Sequence, residues 1–186
     1  MCSSGIRIAG FGGQGVILAG MVIGKAAAIH DGKFATLTQS FGPEARGSAC
    51  SAQLIISDEP VLYPYITQPD ILVAMSQEAH ARFGRDLKPE GMLLYEQDLI
   101  NLGSTPPGLR CYGIPATRFA EELGRKLVLN MVIVGFVTAL TGLATPAAVR
   151  KAIASSVPKG TEALNLQAFE KGLEFGQSKL CSPHAA

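Results

Sequence analysis

The chain of 186 residues has no tryptophan, little charge and no run of either sign. Only 17% of its residues are charged and the net charge is +1, so the basic stripe with interleaved aromatics that nucleic-acid binding needs is missing. Cys2, Cys50, Cys111 and Cys181 stand far apart, with no C-x-x-C pair and no histidine at ligand spacing. That argues against a zinc or iron–sulfur site in this chain and reads as four free thiols in a reducing cytoplasm. His30, His80 and His184 are equally isolated and read as surface or capping residues. The first residues, MCSSGIRIAG, hold no basic region followed by an apolar core, so no secretory signal is visible. Also absent are the G-x-S-x-G elbow, the H-E-x-x-H zinc motif and the G-x-x-x-x-G-K-[ST] phosphate loop. The scattered acids, Glu44, Asp58, Glu59, Glu78, Glu96 and Asp98, form no recognisable acid/base pair and read as a solvated face.

What is present is hydrophobic sequence, 47% of the chain, enough for the core of one domain spanning residues 1–186. Leu127 to Val149 contains no charge and is long enough to raise the question of a membrane span. Asn130, Thr138, Thr141 and two glycines dilute it, and Thr145-Pro146 reads as the N-cap and first position of a new helix. The remaining apolar helix, Leu127 to Leu143, is short for a span and is expected to be buried. Strands are predicted at FATLTQSF, SACSAQLIIS, PDILVAM, GMLLYEQ and LRCYGI. Helices are predicted at SQEAHARFG, PATRFAEELG, PAAVRKAIASS and NLQAFEKGLEFG. The pattern predicts one α/β domain with a largely parallel sheet, helices on both faces and an antiparallel hairpin inserted after the first helix.

Two stretches bear on function. The first is IRIAGFGGQG, where Gly10, Gly12 and Gly15 fit G-x-G-x-x-G between a strand and the helix VILAGMVIGKAAAI. Such a turn lets helix-start amides point at an anion. Dinucleotide binding also wants an acid near the end of the second strand. FATLTQSF contains none, and Asp31 precedes it. The turn therefore reads as an anion contact or as a packing device, and not as an NAD site. The second stretch is QSFGPEARGSACSAQ, Gln39 to Gln53, a loop with glycines on both sides of Arg46. A guanidinium there can fork onto a phosphate or carboxylate, or simply be solvated.

GFGGQGV, SFGPEARGS, IISDEPVLYP and PDILVAMSQEA, in that order, resemble the gamma subunit of the 2-oxoacid:ferredoxin oxidoreductases, and GMLLYEQDLI, LNMVIVGFVTALTG and NLQAFEKGLEFG extend the resemblance over nearly the whole chain. The GPEARG loop with ISDEPVLYP is most similar to the 2-oxoglutarate branch. Ser48 departs from it, since the family commonly has a second glycine after the arginine. The resemblance implies a single Rossmann-like domain. It also implies an accessory role in a cytoplasmic, heteromeric complex that decarboxylates a 2-oxoacid on thiamine diphosphate, passes electrons through iron–sulfur clusters to ferredoxin and releases an acyl-CoA. Thiamine diphosphate, magnesium and the clusters are then expected in partner chains: alpha and beta subunits, and a ferredoxin-like subunit or ferredoxin. Arg46 becomes the first candidate to meet a phosphate of coenzyme A, with the Gly12, Gly13, Gln14 and Gly15 amides second. No residue of this chain is expected to be catalytic. The alternatives are a free-standing nucleotide-binding oxidoreductase or a sensor domain.

Overall fold

A computed structural model describes residues 3–41, 49–104 and 106–181. Strand β1 (Ser3–Phe11) leads through the glycine turn into helix α1 (Val16–Lys25), which loosens into a π-helical turn at Ala26–His30. Strands β2 (Phe34–Ser40) and β3 (Ala49–Ser57) follow, then β4 (Ile71–Ala74), α2 (Gln77–Phe83), β5 (Met92–Glu96) and β6 (Arg110–Ile114). Helices α3 (Ala116–Glu122), α4 (Leu129–Thr141), α5 (Pro146–Ala154) and α6 (Glu162–Cys181) complete the chain.

The sheet order is β2-β3-β1-β4-β5-β6. β1, β4, β5 and β6 pair in parallel, but β3 pairs antiparallel with both β1 and β2. The predicted hairpin is therefore present, while the expectation of a largely parallel, Rossmann-like sheet needs correction. With two antiparallel pairings the sheet is only partly parallel. The cause is local. Only residues 41–48 separate β2 from β3, whereas a parallel crossover needs a dozen residues or more. Once the chain reverses there, β3 takes the place beside β1 that β2 would otherwise occupy.

Alternation along the strands sorts the core into two layers. Ile71, Val73, Met92 and Leu94 point into the main cluster with α1, α4, α5 and α6, while Leu72, Ala74 and Leu93 point to a smaller cluster on the opposite face, where α2 packs. Helices thus cover both faces, as predicted.

The apolar segment forms α4, buried at all but two of its positions, Ala139 and Thr141, which lie partly open. The helix starts at Leu129, two residues later than predicted, because Lys126–Val128 is a 3₁₀ turn that leaves Leu127 76% exposed. Among the described residues no helix is long and apolar enough to cross a membrane. α4 is closed off by α6 at unusually short range. A methyl on Gly172 would collide with the Val132 carbonyl, and one on Gly135 with the Phe169 carbonyl. The two backbones touch because those side chains are missing. At the far end, Thr145 caps α5 as predicted, its Oγ1 accepting from Ala148 N at 3.2 Å with Pro146 in the first turn. Asp31 accepts from Thr145 N at 2.6 Å and Oγ1 at 2.8 Å. The acid that is misplaced for a ribose instead ties the end of α1 to the start of α5.

Candidate functional site

The carboxyl ends of β1 and β4 lie side by side where the chain leaves β1 toward α1 and β4 toward α2, on opposite faces. In open α/β sheets such a crevice is where ligands enter. Here it is built by the glycine turn. Gln14 N donates to Phe11 O at 3.1 Å and closes a four-residue turn, with Gly13 at φ 100° and Gly15 in the left-handed region at φ 74°. Gln14 then folds inward. Its Oε1 accepts from Phe11 N at 2.7 Å and its Nε2 donates to Met75 O at 3.0 Å. One side-chain amide joins the ends of two strands across the crevice.

This accounts for the glycines. A side chain at Gly10 would strike Gln14 Oε1, and one at Gly15 would strike Asn130 of α4. Asn130, 3% exposed, donates from Nδ2 to Gly15 O at 3.4 Å and accepts from Met131 N at 3.0 Å. Gly10 and Gly15 are thus required by the protein's own amides, which favours the packing reading of the fingerprint. α1 itself starts with no side-chain cap and no acidic residue in its first turn. Its leading N–H groups carry the positive end of the helix dipole toward the same edge.

Of the sequence-predicted site residues, Gly12, Gly13, Gln14 and Gly15 are together in this turn. Arg46 lies outside the described residues. Ala49 pairs with Phe11 and Cys50 with Gly10, so β3 begins directly beside the glycine turn.

Farther along the same edge, Glu96 ends β5 fully buried. Its carboxylate accepts from Thr117 N at 2.7 Å, Thr117 Oγ1 at 3.0 Å and Asp98 N at 3.0 Å, and so caps the start of α3. Burial pushes its pKa above the usual carboxylate value, and these hydrogen bonds oppose the shift without cancelling it. Asp98 in turn holds Arg118 through two hydrogen bonds, 2.7 and 3.1 Å. Glu96 is thus buried and hydrogen-bonded, not on the solvated face expected from the sequence. Its signal was the position itself, the last residue of a strand followed by polar turn residues. Gln14 as a bridge and Asn130 as its neighbour on α4 had no such local signal, since both act across long stretches of chain. Burial raises the pKa of Cys50 and of Cys111, which keeps both as thiols. Among the described residues no three His, Cys, Asp or Glu side chains come together as metal ligands would.

Residues 5–175 match the family model of pyruvate ferredoxin/flavodoxin oxidoreductases. The chain is 48% identical over 174 residues to the 2-oxoglutarate synthase subunit KorC of Methanocaldococcus jannaschii, covering 92% of this chain and 93% of that protein. Its fold matches the crystal structure of the gamma subunit of a keto/oxoacid ferredoxin oxidoreductase from Geobacter sulfurreducens with TM-score 0.83 and 39% identity, over 94% of this chain and 99% of that one. It also matches 2-oxoglutarate:ferredoxin oxidoreductase from Magnetococcus marinus, solved with 2-oxoglutarate, coenzyme A and succinyl-CoA bound. There the TM-score is 0.87 at 25% identity, and 96% of this chain corresponds to 32% of the longer one. The chain therefore belongs to the pyruvate ferredoxin/flavodoxin oxidoreductase family, as a gamma-type accessory subunit similar to the KorC branch.

Proposed function

We propose that residues 1–186 form a single gamma-type domain working inside a cytoplasmic complex that oxidatively decarboxylates 2-oxoglutarate, or a closely related 2-oxoacid, to an acyl-CoA. The observation that carries this reading is the near end-to-end 48% identity to a subunit of a 2-oxoglutarate synthase. Partner alpha and beta subunits hold thiamine diphosphate with magnesium, and a ferredoxin-like subunit or ferredoxin takes the electrons through iron–sulfur clusters. This chain supplies structure and the coenzyme A side of the site.

Within the chain, Arg46 is the residue proposed to meet a phosphate of coenzyme A, with the amides of Gly12 to Gly15 second. The register of Phe11 with Ala49 supports the pair, because it brings the ends of the Arg46 loop to the edge where the α1 amides emerge. A guanidinium and a set of helix-start N–H groups are complementary to the same oxyanion. Gln14 restricts the second part of the proposal. With its side-chain amide already spent on Phe11 and Met75, and its backbone N–H on the Phe11 carbonyl, only the N–H groups of Gly12, Gly13 and Gly15 remain to be offered.

Reconstitution tests the reading. The chain alone should not turn over a 2-oxoacid, and adding it to the thiamine-binding and ferredoxin-like partners should restore coenzyme A-dependent reduction of ferredoxin with 2-oxoglutarate. Turnover by the isolated chain, or full activity of the partners without it, would remove the proposal.

A further inference from the structure

The connection from β5 to β6, residues 97–109, carries no helix among its described residues. Parallel neighbours are ordinarily joined through a helix that covers the sheet. Here that cover is thin, and a cleft of about 350 Å³ remains between α2 and the crossover. It is lined by the buried Leu87 and Leu93, the partly open Leu102 and Leu109, the partly open His80 and the exposed Arg85. The volume lies within the range of small-molecule sites.

The polar groups of the lining restrict what fits. No ion pair among the described residues includes Arg85. The charges near it are already engaged: Asp86 with Arg7 at 2.6 Å and Lys88 with Asp70 at 2.5 Å, while Arg82 lies over the Phe83 ring. His80 has its pKa lowered by burial, so it adds a hydrogen-bonding group at neutral pH but no charge. One guanidinium without a second cation matches a singly charged planar carboxylate better than a phosphate dianion. The four leucines match an aliphatic chain.

We propose that this cleft binds a medium-chain monocarboxylate, with its tail on Leu87 and Leu93 and its carboxylate on the Arg85 guanidinium. The site is on the opposite face of the sheet from α1, and it does not depend on the function proposed above.

Octanoate titrated into the full chain at neutral pH, followed through the imidazole proton signals of His80, tests it. The expected result is a saturable shift. Octylammonium, of equal length and opposite charge, should bind at least about tenfold more weakly, and Arg85→Gln should weaken octanoate by roughly tenfold. Ala81→Trp, at an exposed position of α2 lining the cleft, should abolish the His80 response. The proposal is overturned if the shift does not saturate, if octylammonium binds as well as octanoate, or if binding survives both substitutions unchanged.

Discussion

Gln14 Nε2 donates to the Met75 carbonyl at 3.0 Å and thereby bolts the end of β1 to the end of β4. The same amide accepts the Phe11 N–H at 2.7 Å. A glycine turn of dinucleotide-binding form is thus closed by Gln14, the residue just before its last glycine.

Replacing Gln14 with Ala leaves Phe11 N and Met75 O without these partners. The cost should be about 1–3 kcal/mol, read from urea unfolding. Gly10→Ala should also destabilise the wild type, because the new methyl meets Gln14 Oε1, and should cost less once Gln14 is Ala. Some cost persists in the double variant, since Met75 Cβ and Val16 Cγ2 are 3.0 and 3.1 Å from the same point. Strict additivity of the two substitutions would contradict the contact.

The α4–α6 contact predicts a hierarchy among glycines. Gly172→Ala forces a methyl into the Val132 carbonyl and cannot be relieved by a side-chain rotation. A loss of about 3 kcal/mol or more is expected. Gly160, at φ 87° with nothing near its missing methyl, should lose only about 1 kcal/mol on the same change. Denaturant midpoints that rank the two the other way would refute the close approach.

Glu96 predicts a pH dependence. Its carboxyl is held above its ordinary value of 4.5 by burial, so the folded state binds this proton more tightly than the unfolded chain. The associated stability is fully present below the ordinary value and is lost as pH rises through the folded one. Glu96→Gln should lower stability overall, because its amide cannot accept at both oxygens from Thr117 and Asp98, and should flatten that falling component. An unchanged pH profile of the urea midpoint would show that Glu96 does not carry it.

Arg46→Ala in the assembled complex should raise the Michaelis constant for coenzyme A by roughly ten- to a hundredfold, the loss of one charge-assisted phosphate contact of about 1.5–3 kcal/mol. The constant for the 2-oxoacid should change little. An intact complex with unaltered dependence on coenzyme A, or one that falls apart, would assign Arg46 to solvent or to subunit assembly instead.

Much of this molecule was determined by sequence within reach of a few turns. Thr145-Pro146 set the start of α5, and Ser76 set that of α2, where its Oγ accepts from Ala79 N at 3.2 Å. A connection too short for a crossover set the β2–β3 hairpin. Burial of α4 followed from an uncharged surface on all sides of one helix. These are consequences of capping, chain length and hydrophobicity, each decided by neighbours in the chain.

Tertiary structure alone decided that β3 would lie between β1 and β2, that Asp31 would hold Thr145 instead of a ribose, and that Gly10 and Gly15 would serve Gln14 and Asn130. Each depends on groups brought together from distant parts of the fold, Asn130 reaching Gly15 across 115 residues. A glycine permits close approach without specifying what approaches, so the same G-x-G-x-x-G spacing suits a pyrophosphate or a protein amide. What approaches Gly10 here is the side-chain amide of Gln14, three residues past the end of β1, and its second partner, Met75, is brought there only by the pairing of β1 with β4.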